Sequence, residues 1–186
     1  MPRLPLARSA VGLSLVVLLA ACATVDAAGN PTRPLPSYAG HTTELFDDVI
    51  EPAAVGISLD VGADPRADRR LRERTQVGDA VVRVRVMTVT TKQEDNGSRY
   101  IIGMRTLEKL AGQFPPPDAF EITVGRSSPA VAILKGLDTT LVGKTFVGFV
   151  RAFVRADGDT ELHFHLGPDS KDEIGAVKDA AALGEL

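Results

Sequence analysis

The segment that most constrains this chain lies at residues 79–91. Val82, Val84 and Val86 alternate with Arg83, Arg85 and Met87, and Thr88, Val89, Thr90 and Thr91 follow. Successive side chains on a strand point to opposite faces, so this run predicts a long strand with one apolar and one polar side. Asp95-Asn96-Gly97 then signals a hairpin, because Asn-Gly tolerates the positive φ of a two-residue turn. A second strand is expected over about 99–106, a rigid loop over 112–118 with prolines at 115–117, and a third strand over 120–124. Ser128-Pro129 has the form of a helix cap followed by a first-turn proline, with Val131, Ile133, Leu134 and Leu137 behind it. Strands follow over 145–155 and 160–166, joined by a turn at 156–159, and a C-terminal helix is expected over 170–183.

Upstream, Thr43 to Ile50 reads as a short helix, with Leu45, Phe46, Val49 and Ile50 on one face and Pro52 ending it. Val55 to Val61 alternates as a short strand. Asp64 to Arg74 is polar apart from Leu71 and reads as an exposed helix or loop.

The order strand, strand, strand, short helix, strand, strand over about 79–166 resembles the OB-fold. That resemblance implies a mainly β domain: a five-stranded OB-like barrel with a short helix between strands 3 and 4, followed here by a C-terminal helix. Gly103 and Gly148 would let its strands bend.

The N-terminus carries an address. Arg3 and Arg8 precede an apolar run from Ala10 to Ala21. Twelve residues of helix rise only about 18 Å against roughly 30 Å of hydrocarbon, so the run is a secretory signal rather than a span. Its ending, Leu19-Ala20-Ala21-Cys22, resembles the lipobox of bacterial lipoproteins. The resemblance covers residues 1–22. It implies cleavage before Cys22 and a covalent lipid on that cysteine, with no other cofactor. Ala23 follows rather than Asp, which by analogy with the enterobacterial sorting rule points to the outer membrane. The expected organisation is a signal peptide at 1–21, a lipid-anchored flexible tether at 22–42 rich in Pro and Gly, and a β-rich globular domain at 43–186.

Cys22 is the only cysteine, so no intramolecular disulfide can form, and lipidation would remove thiol chemistry as well. The whole chain has a net charge of -3. Loss of the two signal arginines leaves 19 basic against 24 acidic residues, or -5. Such a balance, with two Tyr and no Trp, argues against nucleic acid as a partner. Walker, Rossmann, HExxH and EF-hand patterns do not occur, and Gly125-Arg126-Ser127-Ser128-Pro129 is not a nucleophile elbow.

Two constellations remain. His163 and His165 flank Phe164 on a strand, so both imidazoles lie on one face, where they would meet a metal or form a polar outward surface opposite Leu162, Phe164 and Leu166. The spacing is similar to the first cupin motif, but Glu173 is distant in sequence and His41 stands alone near the tether. Asp47-Asp48 and Asp172-Glu173 read as pairs on surface helices. The second constellation is Arg66, Arg69, Arg70, Arg72, Arg74, Arg83 and Arg85, which give residues 64–85 a net charge of +3, against -6 for residues 157–186. A basic patch of this kind fits a headgroup, an anionic glycan or an acidic partner. The expected function is a non-enzymatic envelope lipoprotein, held at the membrane by its lipid and binding an envelope protein or glycan. The alternative is a metal-binding protein using His163 and His165.

Overall fold

A computed structural model describes residues 34–57, 64–95, 97–112 and 117–184. The signal peptide, Cys22 and most of the expected tether lie outside the described residues. Six strands, β1 (Val49–Ile50), β2 (Ala80–Glu94), β3 (Gly97–Ala111), β4 (Ala119–Val124), β5 (Thr145–Val154) and β6 (Thr160–Pro168), form one mixed sheet in the order β1-β6-β5-β2-β3-β4. Among the described residues four α-helices accompany it: α1 (Thr42–Leu45), α2 (Arg69–Val77), α3 (Ala130–Leu141) and α4 (Lys171–Gly184).

The period-two run becomes β2, which pairs with β3 along its length and with β5 over Ala80 to Arg85. The hairpin closes with Glu94 opposite Gly97, whose φ of 126° is open to glycine alone. The helix between the third and fourth strands of that set is present as α3, and the C-terminal helix as α4.

The expected five-stranded closed barrel is not what forms. The sheet has six strands and stays open, with β1 and β4 at its edges. Closure would require β4 to pair with β6, but the outer edge of β6 is taken by β1 in parallel, Val49 opposite His165 and Ile50 opposite Leu166. The apolar pattern of β5 gives a second reason. Phe146 serves one core, whereas Val147, Phe149 and Phe153 serve another. A small barrel has one filled interior. This sheet has two apolar faces, and each needs a cover.

α3 covers the first face, where Val82, Val84, Val86, Ile102, Met104, Ile122, Phe146, Phe164 and Leu166 pack with Leu134 and Leu141. The second face is covered by Leu45 and Phe46, Leu71 of α2, and Ala176 and Val177 of α4. Burying an aliphatic or Phe side chain contributes about 1.5–3 kcal/mol, so both layers hold the sheet.

The N-terminal stretch departs most from its sequence reading. The expected helix over 43–50 is cut to α1, four residues long; Phe46 leaves helical geometry, and Asp48 turns the chain at a φ of 53°. The expected strand from Val55 begins instead inside a 3-10 turn, Pro52–Val55, and its residues 58–61 lie outside the described residues. The last part of the expected tether is docked: the amide of Val154 donates to the carbonyl of Pro36 at 3.0 Å, and Ser37 bridges to Val154. Residues 36–51 thus run as a strap along the end of β5 and the edge of β6.

Candidate functional site

His163 and His165 do share a face of β6, but it is not an outward one. It lies beneath the strap, and His165 is only 4% exposed. On the opposite face Phe164 and Leu166 are buried as expected, while Leu162 is 39% exposed. The parallel register of β1 brings three acids of the strap onto the two imidazoles. His165 has Asp47 Oδ1 at 2.8 Å from Nδ1 and Glu51 Oε1 at 2.7 Å from Nε2. His163 has Asp48 Oδ2 at 2.9 Å from Nδ1. Its Nε2 is 3.1 Å from Glu161 Oε1, close enough for an ion pair but out of line for a hydrogen bond. The ring of Tyr38 stacks on His163 with centroids 3.4 Å apart and planes within 7°. The Tyr38 hydroxyl donates to the Phe46 carbonyl at 2.6 Å.

Asp48 is the hub of the strap. Its Oδ1 accepts from the Phe164 amide at 3.2 Å, and its own amide donates to the Phe164 carbonyl at 2.9 Å. Its carbonyl accepts from the Ser128 hydroxyl at 2.8 Å and from the Ala130 amide at 3.1 Å. These contacts hold a non-glycine residue in the left-handed region, which otherwise costs about 1–3 kcal/mol.

Two further groups close the cluster from the helices. Arg74 of α2 is buried; its Nε donates to the Leu45 carbonyl at 2.6 Å, and Nη2 lies 3.9 Å from Asp47 Oδ2. Glu173, in the first turn of α4, is helical as expected but buried rather than on the surface. Gly167 makes room for it, since a Cβ there would sit 2.9 Å from Glu173 Oε1. Asp47 and Asp48 are likewise not on a surface helix but in the turn between α1 and β1.

Burial penalises both charged imidazoles, yet the hydrogen-bonded carboxylates outweigh it. The pKa of His163 is raised by Asp48 and Glu161, and that of His165 by Asp47 and Glu51 against the opposing charge of Arg74. Burial, with Glu51 beside it, pushes the Glu173 carboxyl up to about 7. Burial and then Asp48, Asp47 and Glu161 push the Tyr38 hydroxyl up to about 12.

This arrangement does not favour the metal alternative. A metal needs a nitrogen lone pair, whereas an imidazole that donates to two carboxylates carries a proton on each nitrogen. Among the described residues no group of three or more His, Cys, Asp and Glu side chains is arranged to hold a metal ion. In the turn before β6, Asp157 pairs with Arg155 at 3.0 Å, and Asp157 Oδ1 accepts from the Asp159 amide at 3.1 Å. His41 pairs with Glu73 at 2.7 Å.

The seven arginines do not act alike. Arg74 is a buried structural cation. Arg83 forms a two-pronged pair with Asp169, at 2.7 and 2.9 Å. Arg66 pairs with Asp179 at 3.0 Å, across to α4. Arg69, Arg70 and Arg72 stay exposed on α2, where Arg69 meets Glu73 at 2.8 Å and Arg70 meets Glu44 at 3.5 Å. Exposed pairs of this kind contribute at most about 1 kcal/mol, so these guanidinium groups remain open to a partner. Arg85 is exposed on β2. Sequence reasoning missed Tyr38, Asp47, Asp48, Glu51 and Glu173 as members of the histidine cluster, and placed Arg74 in the patch. No protein-family model matches the chain, and no curated protein matches it.

Proposed function

We propose that this chain is an envelope lipoprotein, anchored through a lipid on Cys22 and more suited to the outer than the inner membrane, whose globular part is a non-catalytic binding or structural module. The observation that carries the reading is the ordered run of basic, apolar and small residues ending in Leu19-Ala20-Ala21-Cys22. Two or three acyl chains, at about 0.8 kcal/mol per buried CH₂, hold a protein firmly where a single chain does not. Strands β2 to β6 are read as an opened OB-like barrel, with neighbours β6-β5-β2-β3-β4 and the β4–β6 seam unjoined. The non-catalytic half rests on the histidine cluster, whose groups are turned toward one another and bind the strap to the sheet.

Its partner is an acidic envelope protein or an anionic glycan, met by Arg69, Arg70 and Arg72 on the exposed face of α2. Reversing all three to Glu is expected to reduce crosslinking to envelope material in native membranes at least tenfold, with an unchanged circular dichroism spectrum. Undiminished crosslinking would remove α2 as the binding face. Arg74 must be left intact in that variant, because it belongs to the core.

A further inference from the structure

We propose that His163 and His165 form a proton-operated latch: charged, they clamp the strap of residues 36–51 onto β6, and on losing their protons they loosen its polar ties to that strand. This inference does not depend on the lipid anchor or on the identity of any partner.

His165 is hydrogen-bonded to Asp47 through one nitrogen and to Glu51 through the other. A neutral imidazole has one N–H and one lone pair. It can keep one of these carboxylates and must present a lone pair to the second. Both acceptors belong to the strap, so the broken contact is one that holds the strap down. His163 makes one such bond, from Nδ1 to Asp48 of the strap, with Glu161 of β6 facing Nε2 as an ion pair only, so there it is the loss of charge that weakens the hold. Charge acts in the same direction. With both rings neutral, Asp47, Asp48, Glu51 and Glu161 keep as nearby cations, among the described residues, Arg74 of α2 beside Asp47, Arg155 at 3.8 Å from Glu161, and Arg151, which stands beside His163 on β5. Glu173 of α4 adds a further negative charge facing His165, and Asp68, before α2, adds another near Glu173. The remaining neighbours, Phe149 and Phe153 of β5 and the Tyr38 ring, offer no charge to replace the lost one.

Leu45, Phe46 and Ile50 keep the strap's apolar side chains in the two cores, so release loosens its polar ties rather than lifting it whole. Its ladder to β6 is only two residues long, and its other backbone ties are the Val154 amide to Pro36, the Asp48 amide to Phe164, the Glu51 amide to Leu166 and the Ala130 amide to the Asp48 carbonyl. The raised proton affinity of both rings places release above the ordinary histidine range. Their contribution is fully present below the ordinary histidine value of 6.5 and is lost as the pH rises through the higher folded-state values.

The test is amide hydrogen exchange on the full chain in detergent, at about pH 6 and pH 9, with each rate corrected for intrinsic exchange. The expected result is a fall in protection of at least tenfold at Asp48, Glu51 and Val154, with Val82 and Gly148 in the central ladder unchanged. A His165→Gln variant is expected to show low strap protection at both pH values. Because that variant can fail to fold, the second measurement follows the ring carbons of the unmodified protein by NMR. His165 should still carry its proton at a pH where free imidazole has lost it. Strap protection that is flat with pH, or a His165 that titrates like free imidazole, would overturn the latch.

Discussion

Replacing Arg74 with Met is expected to lower the stability of the domain by about 3 kcal/mol, the low end for removing one partner of a buried charge pair. For a domain of this size that is a drop in Tm of roughly 6–12 °C. The low end applies because Asp47 is partly open to solvent, with its side chain 28% exposed. Met keeps most of the packing of the arginine stem, so the loss reports the charge and the hydrogen bond rather than a cavity. It leaves the Leu45 carbonyl without its donor and leaves His165 as the nearest cation facing Asp47 and Glu51. Burial pulls the proton affinity of Arg74 below its ordinary value, yet a guanidinium stays charged throughout the accessible pH range. Its charge opposes the proton on His165, so the variant should hold that proton to a higher pH than the parent. Urea unfolding at pH 6 measures the first effect, and ring-carbon titration the second. A stability change below about 1 kcal/mol would show that the guanidinium does not hold α2 to the strap.

Glu173→Gln should have the opposite sign, and only at high pH. In the folded chain the carboxyl keeps its proton up to about pH 7, against an ordinary value of 4.5. Between those values the folded state binds a proton that the unfolded state has released, so raising the pH favours unfolding. At 1.36 kcal/mol per unit, this one group costs the parent about 2–3 kcal/mol between pH 5 and pH 8. Gln has the same shape and no charge. The variant should match the parent near pH 5 and exceed it by about 2 kcal/mol at pH 8. Thermal melts across that range decide the matter, and parallel curves for the two proteins would count against a buried, protonated Glu173. The two N–H groups required at His165 are untouched by this change, so the pH dependence of strap protection should persist in it.

The sequence showed the strands and helices of the two cores more readily than the way they join. β2, β4, α3, β5, β6 and α4 follow apolar patterns strong enough to read, with ends displaced by a few residues. β3 runs five residues past its expected end to Ala111 because the added stretch, Leu107 to Ala111, is held by its ladder to β2 rather than by an alternating pattern. The open sheet was hidden for a different reason. Its decisive strand, β1, is two residues long, and no periodicity can be read from two residues. A signal did exist in β5, where apolar side chains at both parities called for two covered faces.

The candidate site divides in the same way. That His163 and His165 share a face follows from their spacing. That Asp47, Asp48 and Glu51 meet them does not, since more than a hundred residues separate the two groups. The helical spacing of Leu45, Phe46, Val49 and Ile50 pointed to one buried face. In the folded chain Leu45 and Phe46 enter one core and Ile50 the other, and the turn at Asp48 between them aims the acids at β6. The apolar demand was legible, but the switch between cores was not. Glu173 was hidden because an acid in the first turn of a helix is ordinary at the surface, where it favours the helix dipole.

The central claim, an anchored envelope module, is tested most directly by the intact mass of the chain recovered from membranes. The expected result is a chain that begins at Cys22 and carries acyl chains on that residue, and a Cys22→Ser variant that remains an uncut precursor without acyl label. An unmodified Cys22, a chain that begins elsewhere, or acyl label that persists in the Cys22→Ser variant would contradict it.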